Sequence, residues 1–227
     1  MTRCRTSDGA LRAYDELPKR SWWLAPPAHV VSSPGADMLT MYTIQTRDAY
    51  ETLACDGVLV GDSTRGWPEY QEAYGWMLRE MDRRLPSTDG GLLWLWPKAT
   101  RRVLSDNAKH ARGEVLLTVR MPREQVLLSE FVDWHCVLNR FLHIPQHPGE
   151  SDQAWERRGD AVHDGFDARA RPFSEAPIEQ WPNGLRAEIE GSWQAIFDPT
   201  TWGADAALQA TARRVLASDV LRAVRIR

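Results

Sequence analysis

Residues 114–142 run EVLLTVRMPREQVLLSEFVDWHCVLNRFL, and their reading decides the fold class. Glu114–Met121 is dense in Val, Leu and Thr, the composition of a strand. Pro122 breaks it, and Val126–Leu128 extends it beyond the break. Ser129 stands where a helix cap is wanted. Phe131, Trp134, Leu138, Phe141 and Leu142 then recur at helical spacing. Strand gives way to helix without regular βαβ alternation. The expected fold is therefore α+β, a small mixed or split β-sheet with flanking helices.

Working outward, Met41–Thr46 (MYTIQT) is a strand, followed by a short helix over Asp48–Cys55 that Gly57 ends as a left-handed cap. Pro68–Leu85 is the clearest helix, with positions 70, 74, 77, 78, 81 and 85 on one face and Pro68 in the first turn. Gly90-Gly91 introduces a strand over Leu92–Trp96, and the polar run Lys98–Arg112 fits neither pattern. A surface helix is expected near Asp152–Arg158, and an amphipathic one over Leu185–Phe197 with Leu185, Ile189, Trp193 and Ile196 inward. Ala206–Leu216 and Val220–Ile226 close the chain as strands around a turn at Ser218-Asp219.

Residues 1–37 differ from the rest, carrying Pro18, Pro26, Pro27 and Pro34 and no sustained period. The expected organisation is a linker-like N-terminal extension over 1–37 and a single α+β domain over 38–227. The extension is either poorly ordered or holds a short helix, Gly9–Leu17, with Trp22 and Trp23 docked on the domain.

The chain has 227 residues, 43% apolar and 26% charged, with a formal net charge of −3, which excludes collagenous, fibrous or wholly disordered classes. No apolar run approaches the ~18 residues of a membrane helix, so no membrane partner is expected. The near-balanced charge argues against nucleic acid. Five arginines (213, 214, 222, 225, 227) against Asp219 near the C-terminus are either a phosphate-facing patch or, more commonly, a charged strand edge. Cys4, Cys55 and Cys136 are widely spaced and form no C-x-x-C, so neither a disulfide framework nor a zinc site is indicated. With no secretory pattern at the N-terminus, a cytoplasmic location is expected. Tryptophan, at 11, outnumbers tyrosine and phenylalanine together.

The chain carries no G-x-G-x-x-G, Walker loop, G-x-S-x-G or H-E-x-x-H. His143 and His147 are separated by Pro145 and cannot share a helical face, so no metal is expected. A pocket is suggested elsewhere. His135, Asn139 and Leu142 fall on one helical face and Trp134, Leu138 and Phe141 on its neighbour, combining an aromatic wall, an imidazole and an amide. Thr43 and Gln45 share one face of the first strand, opposite Tyr42 and Ile44, and Trp94 and Trp96 share a face of another. Each group also has a plain structural use: His135 and Asn139 bonded to backbone, the tryptophans filling core.

Several runs resemble an uncharacterised bacterial family, the domain of unknown function 3841. They include Tyr42-Thr43-Ile44-Gln45-Thr46, Ala73-Tyr74-Gly75-Trp76-Met77, Leu93-Trp94-Leu95-Trp96, Trp134-His135-Cys136-Val137-Leu138-Asn139, Ser192-Trp193-Gln194-Ala195-Ile196-Phe197-Asp198 and Leu208-Gln209-Ala210-Thr211. The family supplies no established activity. The opening strand, helix and Gly57-Val58-Leu59 also resemble the start of ADP-ribosyltransferase-type folds, which hold NAD in a split-sheet cleft. That second resemblance implies NAD or a related nucleotide as ligand, with Trp94 or Trp96 stacking a ring, Gln45 bonding an amide and His135 orienting a phosphate or ribose. Such enzymes typically place an Arg or His on the first strand and often a Glu on a late one. Here Thr43, Gln45 and Gln209 stand at those places. The acid then comes from Glu130, Asp133 or Glu190, or the nucleotide is bound without turnover. The candidate pocket is Tyr42, Thr43, Gln45, Trp94, Trp96, Trp134, His135, Asn139 and Gln209. The alternative function is a non-catalytic binding or protein-interaction domain with a tryptophan-rich core, and whether the protein is an enzyme stays open.

Overall fold

Alternation in EVLLTVRM places Val115, Leu117, Val119 and Met121 on one side of a strand, and in the computed structural model all four are buried. The structure describes residues 15–16, 37–97, 110–203 and 206–226. Strand β5 (Val115–Pro122) is the axis of a four-stranded sheet. Strand β2 (Met38–Gln45) pairs antiparallel with it over its whole length, from Met38 opposite Pro122 to Gln45 opposite Val115. On the other side lies β9 (Val220–Arg225), also antiparallel, with a register shift at Thr118/Val119. The two-residue strand β1 (Asp15–Glu16) adds to β9 in parallel, which makes the sheet mixed.

Val126–Leu128 does not prolong β5. After Pro122 a 3-10 turn over Arg123–Gln125 redirects the chain, and the Arg123 guanidinium holds the Val126 carbonyl at 2.7 Å. The segment becomes β6 (Val126–Glu130) of a three-stranded sheet ordered β4-β7-β6, with β4 (Leu93–Leu95) and β7 (Leu208–Ala212). A third, two-stranded sheet joins β3 (Val58–Val60) to β8 (Arg214–Leu216). Buried residues of all three sheets form one hydrophobic cluster, including Met41, Val115, Leu95, Val126, Ala210, Leu59 and Val215. Gly61 and Gly91 meet where two backbones almost touch: a Cβ on Gly91 would lie 2.0 Å from the Gly61 carbonyl oxygen. Only glycine fits such an approach.

Five α-helices occur among the described residues. Helix α1 (Arg47–Asp56) is capped by Thr46, whose side chain accepts from Ala49 N–H, and stops at Gly57 with φ of 75°. Helix α2 (Gln71–Arg84) follows a 3-10 turn over Pro68–Tyr70. The others are α3 (Phe131–Leu138), α4 (Asp152–Ala170) and α5 (Asn183–Ser192), the last running into a 3-10 turn over Trp193–Phe197. The α+β fold with small sheets and flanking helices is the one the sequence implies. None of these helices is long and apolar enough to cross a membrane.

The chain divides into two compact units. One takes residues 1–66, 77–128 and 208–227, and so contains the four- and two-stranded sheets; the other takes 67–76 and 129–207. The second has an aromatic core. Trp76 stacks on Trp134 and Phe197, with ring centroids at 6.4 and 5.7 Å, and meets Trp193 edge-on at 5.3 Å. Buried indoles need an acceptor. Trp193 donates to the Phe141 carbonyl and Trp181 to the Ala176 carbonyl.

Three further sequence expectations change. Ser129 does not cap a helix: it lies fully buried at the end of β6, and the cap falls to Glu130. Helix α3 ends at Leu138 rather than reaching Leu142. Arg213 is no exposed edge residue. It is 7% exposed, ion-paired to Asp82 and bonded to the carbonyls of Leu78 and Gly90, because its guanidinium is needed among buried backbone acceptors. The N-terminal extension lies outside the described residues except at Asp15, Glu16 and Asp37. Asp15 and Glu16 form a strand where a helix over Gly9–Leu17 was the alternative. Trp22, Trp23, the stretch 98–109 and Arg227 also lie outside.

Candidate ligand-binding site

The end of α3 builds the site. Leu138-Asn139-Arg140-Phe141 carries no glycine to end the helix, yet Arg140 adopts φ of 56°. Phe141 N–H bonds back to the Cys136 carbonyl at 2.8 Å and Arg140 N–H to that of Val137. This is a Schellman end with arginine in the place glycine usually takes, a conformation costing an L-residue about 1–2 kcal/mol. The arginine is held there by its own side chain, which pairs with Glu72 at 2.9 Å and donates to the carbonyls of Ser174 and Ala176.

The turn sends residues 141–147 away from the helix as an extended segment. Trp193 fixes it at the Phe141 carbonyl, and Ser192 Oγ accepts from His143 N–H at 3.0 Å. Helix α4 docks against the same segment. Trp155 Nε1 donates to the Ile144 carbonyl, Arg158 donates to that of Pro145, and Arg158 also forks onto Glu150 at 2.7 and 2.9 Å. Between α3, this segment and α4, wholly within the second unit, lies a cavity of about 1010 Å³.

Its wall is acidic. Glu130, Asp133, Glu156, Asp160 and Asp164 contribute five carboxyl groups, and none of the described lining residues is Lys or Arg. Glu130 is committed to structure: one oxygen accepts from Asp133 N–H at 2.7 Å as the cap of α3, the other from Ala207 N–H at 2.8 Å. Asp133 faces His143, with Oδ2 at 3.0 Å from Nε2. A carboxylate only accepts, so Nε2 carries a proton. His143 is 7% exposed, and its Nδ1 is buried with no hydrogen-bond partner. In the neutral ring that nitrogen is an acceptor. Leaving such a group unpaired costs about 1–3 kcal/mol. Cys136 also lines the cavity, but burial and then the Asp133 charge push its thiol up to about 11, which leaves it protonated and a poor nucleophile near neutral pH. Among the described residues no three His, Cys, Asp or Glu side chains gather to hold a metal ion.

The nine residues singled out in the sequence fall on both units. Tyr42, Thr43, Gln45, Trp94, Trp96 and Gln209 belong to the first, Trp134, His135 and Asn139 to the second. In the first unit, Tyr42 and Trp96 pair through backbone hydrogen bonds of 3.0 and 2.8 Å. Gln45 Nε2 donates to Thr43 Oγ1 at 2.7 Å, so these two side chains bond each other. Trp94 stands opposite Thr211, and Gln209 is buried on β7. In the second unit, Trp134 is core. His135 is exposed, with Nδ1 donating to the carbonyls of Phe131 and Val132, and Asn139 Nδ2 closes onto the His135 carbonyl at the helix end. Asn139 also lines a separate depression of about 350 Å³ beside Arg140 and Trp181.

The family model described as Domain of unknown function (DUF3841) matches residues 40–220. The chain belongs to that family. The match takes in every lining residue of the cavity, from Glu130 to Ala206, and begins within β2. No curated protein and no solved structure matches the chain. His143, which sequence reading weighed only as one half of a metal spacing, is the cavity's buried imidazole. Its partner Asp133 is ten residues away, and no local pattern links them. A helix-like run followed by Pro145 was the one available sign that the chain departs from the helix before His143.

Proposed function

We propose that this DUF3841 protein is a small-molecule binding domain with the cavity of the second unit as its site. The observation that carries the reading is the cavity itself, about 1010 Å³ in volume and lined by Phe141, Trp155, His143, His163 and five carboxyl groups. The volume of about 1010 Å³ is at the upper end of ligand pockets, roughly 300–1,000 Å³. Trp193, buried in the aromatic core, holds the carbonyl of the lining residue Phe141 at 2.7 Å, which ties the cavity wall to that core. This is the binding-domain alternative of the two functions that the sequence left open.

An ADP-ribosyltransferase-type NAD site finds less support. NAD brings a pyrophosphate, and five carboxyl groups without a lining Lys or Arg among the described residues would repel it. Gln45 Nε2, which that reading assigns to a ligand amide, already bonds Thr43 Oγ1 within the protein.

The test is an NMR titration of the full chain against neutral, cationic and anionic small molecules, NAD among them. Saturable shifts of the His143 and His163 imidazoles and the Trp155 indole with at least one compound are expected. No shift at millimolar concentration across the panel would defeat the reading. Nicotinamide release from NAD would restore the enzymatic one.

A further inference from the structure

We infer that the edge of β9 over Arg222–Arg225 is a docking strand for an acidic, extended segment of a partner protein, which adds to the four-stranded sheet in place of Asp15-Glu16. The sheet is ordered β1-β9-β5-β2, so β5 covers one side of β9 and, among the described residues, only the two of β1 lie on the other. Arg222 pairs with Thr118 and Val220 with Val119, which leaves Leu221 as the extra residue of a bulge. A bulge interrupts regular pairing. The usable edge is therefore Arg222–Arg225, and β1 takes only its second half, with Asp15 opposite Val224 and Glu16 opposite Arg225.

Two independent features define the occupant. The first is charge. Arg222 is exposed and Arg225 half-buried, and neither guanidinium has an ion-pair partner among the described residues. Such an edge opposes a second β9, which would bring like charges to one ladder, and favours an acidic strand. The second feature is the segment already seated there: the two residues of β1 are consecutive acids, with Glu16 in register with Arg225. A parallel strand of two residues makes few ladder hydrogen bonds, so a longer segment of the same chemistry displaces it. Main-chain bonds then supply affinity and the arginines selectivity. This surface belongs to the first unit and is independent of the cavity.

The probe is a labelled, end-blocked peptide, Thr-Val-Asp-Glu-Val-Thr, titrated by fluorescence anisotropy into the full chain, with hydrogen exchange over 220–225 as a second readout. Saturable binding and slowed exchange are expected, and a probe with Lys for Asp and Glu should bind at least about tenfold more weakly. N-methylating every second amide should abolish binding in one phase and spare it in the other, because only alternate residues face the neighbouring strand. Arg222→Gln with Arg225→Gln is expected to weaken binding about tenfold, and Arg222→Gln alone, at an exposed position, about threefold. Asp15→Lys with Glu16→Lys loosens the internal strand and should tighten the probe about threefold. Arg65→Gln with Arg157→Gln, both exposed, removes the same charge elsewhere and should leave binding unchanged. Equal binding of the lysine probe, equal loss in both methylation phases, equal weakening by the two arginine pairs, or unchanged affinity after the Asp15 and Glu16 substitutions overturns the inference. So does no binding at millimolar probe; if the chain then self-associates in sedimentation, a second copy is the occupant.

Discussion

His143 and Asp133 come from opposite sides of the α3 terminus and meet at 3.0 Å, Nε2 to Oδ2, with the imidazole almost wholly buried. The contact orients one ring nitrogen and leaves the other buried and without a hydrogen-bond partner. Truncating the acceptor should strand a buried N–H. Asp133→Ala is expected to cost about 1–3 kcal/mol, while Asp133→Asn, which keeps a carbonyl oxygen, should cost less than about 1 kcal/mol. Urea denaturation checks both, and equal effects would show that the bond does not hold the ring.

Glu130 joins the α3 N-terminus to Ala207, an oxygen to each backbone N–H. Glu130→Ala therefore loses a cap and a charge-assisted tether together, about 2–4 kcal/mol. Glu130→Gln offers one carbonyl oxygen in place of two carboxylate oxygens and should recover part of that. The midpoint of chemical unfolding reports the difference; an alanine variant as stable as wild type would refute it.

Trp76 is 2% exposed and touches three other aromatic rings. Trp76→Ala is expected to cost about 3–5 kcal/mol and Trp76→Phe distinctly less, since a ring still fills most of the volume. Thermal unfolding followed by near-ultraviolet circular dichroism measures both. A loss under about 1 kcal/mol for alanine would mean that the aromatic core is not what holds the second unit together.

Hydrogen bonds from Arg158, and then from His147 N–H, hold the Glu150 carboxyl down at about 2, against an ordinary 4.5. A carboxyl depressed by folding adds stability above its unfolded value, and that contribution fades as pH falls toward the folded value. Thermal midpoints should therefore drop between about pH 4.5 and 2, and Glu150→Gln should be less stable than wild type at pH 7 with a shallower acid limb. Parallel pH profiles for the two proteins would contradict this.

Cys136 and Cys55 should separate under alkylation. Burial raises the Cys136 thiol to about 11, whereas Cys55 is exposed. Iodoacetamide at pH 8 is expected to label Cys55 and spare Cys136, with denaturant abolishing the difference. Peptide mass spectrometry reads the two sites separately, and equal native rates would refute the expectation.

Much of the architecture is local and therefore legible. The alternation of EVLLTVRM, the cap at Thr46, the stop at Gly57 and the inward set Leu185, Ile189, Trp193 and Ile196 each follow from neighbours a few residues apart. The limits of α3 are not local. Ser129 looks like a cap but is taken by strand pairing, and Arg140 holds a glycine conformation with its guanidinium on Glu72, 68 residues away, and on the carbonyls of Ser174 and Ala176. Arg213 looked like surface for the same reason: its partners at Leu78 and Asp82 are more than 130 residues distant.

By itself the sequence determined where most strands and helices lie, the α+β class and the family, because periodicity, capping and ordered motifs are properties of short segments. Only the tertiary structure decided which tryptophans form the second unit's core and where a cavity lies. It also decided that His143, with one nitrogen bound to Asp133 and the other buried without a partner, is among the residues lining that cavity. Those outcomes depend on contacts between distant segments, which no local pattern encodes.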